Sequence, residues 1–297
     1  MLKIIPSIEA IKFHYNNVSI ILDKIIDEKI GSGLLENSTR KFLKRYKNII
    51  IKGKPYLLLK VHQKFENNIT DQDFKNLKIC FRDRGYESQF QKKHGKEFLE
   101  KIAIDTCIYC NRNYTLQLVE DRARAELDHW FPKETYPILA LSFYNLIPSC
   151  HSCNHIKLDN APEGGWDYAL QNINHPYLED KASTFSFSYF YTSFNHSKTM
   201  IKVKNEKAKK SIEFNKIDKI YETHSNRELK DLLELRYKYS QNYLDILLNK
   251  TFSREFSMSK EEAYRMVFGI ETKEEDYHKR PFSKFKKDII DELLRNK

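Results

Sequence analysis

The sequence predicts an α+β protein in which a metal-closed central segment sits between mostly helical flanks. Three observations predict it. Four of the five cysteines fall in two Cys-x-x-Cys pairs, Cys107/Cys110 and Cys150/Cys153. The flanks carry apolar residues at helical spacing, bounded by capping residues. A stretch beginning at Ser183 alternates apolar and small polar residues, as a strand does.

The elements follow in chain order. Residues 1–105 read as a helical N-terminal region. Val18, Ile21, Leu22, Ile25 and Ile26 form the stripe of an amphipathic helix, which Gly31 and Gly33 would end. Tyr56–Val61 reads equally as a strand or a buried helix. Thr70 and Asp73 mark another helix start, with Phe74, Leu77 and Cys80 or Phe81 as its apolar face. Cys80, flanked by Ile79 and Phe81, reads as a small core residue. Glu97–Ile104 reads as a short helix leading into the first cysteine pair. Residues 106–175 form the motif-bearing core, dense in turn formers and histidine.

Residues 176–297 read as a β-hairpin followed by helices. Ser183–Tyr191 pairs with Thr199–Lys204 through a turn at Asn195–Lys198. Ser225–Glu228 and Ser259–Glu262 have the form of capping boxes. The first precedes Leu229, Leu232, Leu233 and Arg236, then Tyr243, Leu244 and Leu247. The second precedes Ala263, Met266 and Val267. Pro281 opens a last helix carrying Ile289, Ile290, Leu293 and Leu294. No internal repeat or low-complexity linker separates these regions.

Composition narrows the function. The 297 residues are 40% apolar, enough for a packed core, and the net charge is +10. A basic balance favours a polyanionic partner such as nucleic acid. Lys and Arg spread over segments 40–54, 91–101, 202–210 and 279–287, interleaved with Tyr and Phe, suit a surface that tracks a phosphate backbone. Each cluster alone reads as an ordinary solvated helix face. The N-terminus lacks an apolar stretch followed by a cleavage site, and no run approaches a membrane span. The expectation is a soluble cytoplasmic protein with no membrane association. Two close cysteine pairs in a chain this long suit metal-bound thiolates in a reducing compartment better than a disulfide framework.

Four thiolates suit Zn(II) in a closed structural site. Thirty-nine residues separate Cys110 from Cys150, so the loop must hold structure of its own. With four protein ligands this zinc has no open position for water and does no chemistry; it pins the two ends of the loop.

Inside the loop lies Ala125-Glu-Leu-Asp-His-Trp-Phe-Pro-Lys133, and later Asn145-Leu-Ile-Pro-Ser-Cys-His-Ser-Cys-Asn-His-Ile-Lys157. These segments resemble the HNH endonucleases, whose core is a ββα-metal unit. Asp128-His129, Asn145-Leu146 and Cys150-x-x-Cys153-Asn154-x-x-Lys157 occur in the order of that motif. The resemblance covers about 50 residues of the chain. The Cys-x-Tyr-Cys pair, the Asp-His-Trp-Phe-Pro-Lys run and the Asn-Leu-Ile-Pro-Ser-Cys approach are also similar to HNH proteins paired with ATPases in bacterial anti-phage defence. The resemblance implies a metal-dependent endonuclease acting on DNA, with RNA not excluded, and an ATPase as partner protein.

Roles follow from chemistry and resemblance together. A neutral imidazole takes a proton from water near pH 7, which makes His129 the general base. Asp128 points to the opposite side of an extended strand, and a bend or bulge would let it reach a cation. A carboxylate suits Mg(II) or Mn(II). The resemblance makes Asn154 the second metal ligand and Asn145 the residue that orients the base. Lys157, Arg112 and His155 are candidates for phosphate, His155 also for metal.

Other residues read more plainly. Glu126 shares a face with Asp128 and reads as a solvated carboxylate. Trp130 and Phe131 read as packing against the zinc knuckle. His14, His62, His94, His175, His196, His224 and His278 read as surface or satisfied core residues, and His151 as surface. Two alternatives compete with the DNA nuclease: a zinc-stabilised nucleic-acid- or protein-binding module without cleavage, and an RNA-directed nuclease.

Overall fold

The computed structural model describes residues 2–67, 69–116, 126–158, 160–178, 185–194, 196–238, 243, 246 and 259–295. It is mixed helix and sheet, with two small antiparallel sheets, in agreement with the α+β expectation. The chain divides into two units. One comprises Ile4–Ile104 and Thr115–Leu178; the other comprises Met1–Lys3, Asp105–Tyr114 and Glu179–Lys297.

The first unit begins with α1 (Ile8–Ile26), capped by Ser7, whose hydroxyl accepts from the Ala10 N–H. The predicted stripe is buried: Val18, Ile21, Leu22, Ile25 and Ile26 all face inward. The helix ends at Ile26, ahead of the two glycines. Gly31 and Gly33 instead take positive φ, 76° and 71°, in the turn before α2 (Asn37–Lys52). The ambiguous Tyr56–Val61 segment is helical, inside α3 (Pro55–Glu66), with Pro55 at its start. Thr70 caps α4 (Asp71–Leu77) by accepting from the Asp73 N–H, as predicted.

α4 runs into a π-helical stretch, Lys78–Gln91, and then α5 (Lys92–Ile102), which starts five residues before the predicted Glu97. Gly85 lets the π stretch approach its neighbours. A Cβ there would lie 2.9 Å from the Cys80 carbonyl oxygen and 3.1 Å from Leu141 Cδ1. The stretch buries Cys80, Phe81, Tyr86 and Phe90. Cys80 is the core residue expected, its thiol pushed up to about 11 chiefly by burial. His14 lies fully buried among the rings of Phe90, Phe98 and Phe143.

Against these helices sits the small sheet of β1 (Glu126–His129) and β2 (Leu146–Ser149). It is antiparallel, in register from Glu126↔Ser149 to His129↔Leu146. α6 (His151–Lys157) follows β2 directly, and the short α7 (Ala169–Asn172) closes the unit.

In the second unit, β3 (Phe185–Ser193) and β4 (His196–Val203) form the predicted hairpin. Pairing continues to Ser193↔His196, so the strands run further toward the tip than the alternation indicated. Ser183, Thr184 and Asn195 of the predicted hairpin lie outside the described residues. Helices α8 (Glu206–Phe214), α9 (Ile217–Glu222), α10 (Lys230–Lys238), α11 (Lys260–Phe268) and α12 (Ser283–Arg295) follow among the described residues. Its core joins the rings of Phe187, Tyr221 and Phe285, at centroid distances of 4.3 to 5.2 Å.

The capping box at Ser259 forms as predicted. The one at Ser225 does not. The Ser225 hydroxyl accepts the Thr199 N–H of β4 instead, and Ser225–Leu229 is a π-helical turn. Tertiary pairing has taken the side chain that a helix start would use. Leu244 and Leu247 fall outside the described residues. The last helix starts at Ser283, two residues past Pro281, after Phe282 in the left-handed region at φ 61°.

Among the described residues no helix is long and apolar enough to cross a membrane.

Candidate metal centre and carboxylate face

The four paired cysteines come together. The Sγ atoms of Cys107, Cys110, Cys150 and Cys153 all lie within 4.8 Å of one another, and all four residues are buried. None is in a disulfide. The first pair sits in a tight turn: the Asn111 N–H donates to the Cys107 carbonyl at 2.7 Å, with Asn111 at φ 49°. The Cys107 N–H in turn donates to the Asn113 carbonyl at 2.9 Å, and Thr106 bridges to Tyr114. The second pair opens α6. Four clustered buried thiols are the donor set that Zn(II) takes. Among the described residues this is the one cluster of three or more His, Cys, Asp and Glu suited to a metal.

α6 lies along β1, and the two present complementary side chains. Strand alternation puts Glu126 and Asp128 on one face. Residues 151, 154 and 157 recur every three positions on α6, so they share a face too. Two rungs connect them. In the outer rung Glu126 accepts from Asn154 Nδ2 at 2.7 Å and pairs with His151 Nδ1 at 2.6 Å. The carboxylate raises the His151 pKa through this hydrogen bond. In the inner rung Lys157 Nζ donates to both Asp128 oxygens, at 2.9 and 2.8 Å, and to the His129 carbonyl at 2.5 Å. That ion pair is nearly sealed, with side chains 2% and 5% exposed.

Several expected roles change as a result. Lys157 is not open to a phosphate: it is buried and neutralises Asp128, because burying either charge alone is costly. Arg112 is engaged as well, its Nη1 lying 3.0 Å from His224 Nε2. Burial and then the Arg112 charge hold His224 below its ordinary pKa. β1 has no bend or bulge that would turn Asp128 and His129 to one target. The pairing with β2 is unbroken, so the neighbours diverge.

His129 points into the unit, where its ring meets Tyr86 edge-on at 4.4 Å. Its Nε2 lies 3.0 Å from the Ala140 carbonyl oxygen. A carbonyl only accepts, so Nε2 carries the proton and the lone pair resides on Nδ1. Burial, and then the charge of Lys133, push its pKa down to about 3, which keeps the ring neutral at ordinary pH.

Asn145 makes its hydrogen bonds to the backbone and none to His129. Fully buried, it clamps the intervening loop: its Oδ1 accepts the Phe131 N–H, and its Nδ2 donates to the Phe131 and Leu139 carbonyls. The Asn145 carbonyl takes the Trp130 N–H. The loop so held ends at Ala140, so Asn145 fixes the carbonyl that meets His129 Nε2. Asn154 is half-buried and bonded to Glu126. His155 is exposed, its ring 5.8 Å from that of His151. Trp130 packs on His175 and Trp166 as well as Phe131. His175 is therefore a core residue, as read.

Sequence reasoning read Glu126 as a solvated carboxylate and missed the Ala140 carbonyl and Tyr86. Glu126 joins His151 to Asn154, and the three-residue spacing on α6 carried a signal for it. The Ala140 carbonyl and Tyr86 left none.

An α+β protein with a four-thiol cluster and a strand–strand–helix carboxylate face is what the geometry defines. The chain is 36% identical over 70 residues to the Septu protein PtuB of Bacillus thuringiensis. That stretch covers 24% of this chain and 26% of PtuB, so the chain spans about a quarter of the length of the curated relative it matches. No protein-family model matches the chain, and no solved structure matches it.

Proposed function

We propose that this protein is a metal-dependent HNH endonuclease that hydrolyses phosphodiester bonds of DNA, in bacterial anti-phage defence with an ATPase partner. One observation carries the reading. The Asp128-His129 strand and the helix opened by the second cysteine pair are locked together side chain to side chain, as two strands and a helix. Similarity to the Septu protein PtuB supports the defence setting.

The chemistry is argued from the residues. The cysteine cluster would hold zinc and fix the start of α6. Glu126 and Asn154 at the outer rung of the β1–α6 face, with Asp128 once it exchanges Lys157 for the cation, would hold Mg(II) or Mn(II). When bound, that cation supplies charge neutralisation at the scissile phosphate. His129, held by Ala140 with its lone pair on Nδ1, would take a proton from the attacking water, a role that requires its pKa to rise from the buried value once water enters. Lys157 holds the Asp128 carboxylate in alignment. Exposed His155 would meet a phosphate from the solvent side of α6.

Nicking of a supercoiled plasmid with Mg(II) or Mn(II), wild type against His129→Ala, tests the assignment. The expected result is cation-dependent nicking that the variant loses by about a hundredfold or more. Equal nicking by both proteins would remove His129 from the chemistry, and the nuclease reading with it.

A further inference from the structure

The β3–β4 hairpin has a buried base and an exposed outer half. Phe185, Phe187 and Ser188 are buried, and the Phe187 N–H donates to Asp288 of α12 at 2.9 Å. Beyond Ser188 the burial stops. Phe190 is 45% exposed, Tyr191 62% and Phe194, at the tip, 96%. Strand alternation turns Phe190 and Tyr191 to opposite faces, so the ribbon shows an aromatic on each side and one at its end. Rings this exposed are unfavourable in water and mark a surface that meets something.

The charge of the ribbon says what. Residues 185–204 hold six aromatics and three lysines, Lys198, Lys202 and Lys204, and no Asp or Glu. Lys198 and Lys202 reach Glu222 and Glu292 on neighbouring helices, each at 2.9 Å. Exposed pairs of this kind are weak and yield readily to a phosphate. Aromatic faces interleaved with cations, on a ribbon that carries no anion of its own, match a strand whose bases are free to stack and whose backbone is negative. In a duplex the base faces are already stacked on one another.

We propose that the outer half of this hairpin binds single-stranded nucleic acid, with Phe190, Tyr191 and Phe194 stacking on unpaired bases. The inference rests on the nucleic-acid substrate of the proposed function and adds a strand-holding surface in the second unit.

Binding of labelled single-stranded DNA, single-stranded RNA and duplex DNA of about 20 nucleotides tests it. The full chain is used with no divalent cation added, and anisotropy is the readout. The triple variant Phe190→Ala/Tyr191→Ala/Phe194→Ala should lose at least about tenfold in affinity for single strands, with the salt slope unchanged. Phe194→Trp should bind at least as tightly as wild type. The DNA and RNA arms identify the polymer. As a check that does not depend on a folded variant, photo-crosslinking of an iodouracil strand to the wild-type chain should place adducts within residues 190–194. Wild-type affinity in the triple variant, or adducts wholly outside the hairpin, would overturn the proposal and leave these rings to a protein partner. An equal loss on duplex would overturn the commitment to single strands. Because binding is read without cleavage, a protein that nicks but ignores the triple variant keeps the nuclease reading and loses only this one. A protein that never nicks but binds through the hairpin does the reverse.

Discussion

Replacing Asn145 by alanine tests the loop clamp most directly. Its amide satisfies the N–H and the carbonyl of Phe131 and one lone pair of the Leu139 carbonyl. The Leu139 carbonyl keeps a second donor, the Ser142 N–H at 3.1 Å. The variant therefore orphans two buried backbone groups outright. Each costs about 1–3 kcal/mol, so the loss is about 2–6 kcal/mol. Against a typical stability of about 5–15 kcal/mol this is a large fraction. Both tryptophans, Trp130 and Trp166, belong to the same unit as Asn145, so tryptophan fluorescence reports that unit alone. With a urea dependence of about 1–3 kcal/mol per molar, the midpoint should fall by about 0.7 M or more. Asn145→Asp should be no better, since it loses both donations and sets a carboxylate against two carbonyls. A midpoint within about 0.2 M of wild type for either variant would refute the clamp.

Two further outcomes follow from the same unit and from the thiols. Elemental analysis should find about one zinc per chain, and Cys150→Ser should lower zinc content and melting temperature together; a metal-free protein that melts unchanged would contradict the zinc assignment. Burial pushes His14 down to about 3 and His62 to about 4 from an ordinary 6.5. Below pH 6.5 the unfolded chain takes up protons that the folded chain refuses. Their contribution is intact above that pH and is lost as pH falls toward 4, by up to about 1.4 kcal/mol per pH unit for each histidine. Urea midpoints read by tryptophan fluorescence from pH 7 to 4.5 should show that decline, and His14→Leu should flatten part of it. A profile the same in wild type and variant would refute the assignment to His14.

Much of this was legible in the chain because local chemistry and tertiary structure agree. The stripe of α1, the Thr70 and Ser259 caps and the hairpin alternation each follow from spacing that packing then reinforced. The cysteine cluster was legible from two pairs alone. What failed was decided at a distance. Ser225 abandoned its own helix start for a β4 amide. Lys157 looked like a phosphate contact because nothing local says that a lysine will be buried against a carboxylate 29 positions earlier in the chain. The placement of His129 depends on a carbonyl at Ala140 and a ring at Tyr86, neither of which has a motif. The long π-helical stretch that presents Tyr86 has no periodicity of its own in the sequence.

α6 is only seven residues long, too short to persist by itself in water. Yet within those residues Cys153 belongs to the thiol cluster, while Asn154 and Lys157 belong to the carboxylates of β1. One residue inserted or removed between Cys153 and Lys157 would turn everything after it by about 100°. The thiols and His151 would stay in place and the Lys157 rung to Asp128 would come apart. The helix thus works as a gauge block: its length in residues, more than the identity of His155 or Ile156, sets the angle between thiols and carboxylates.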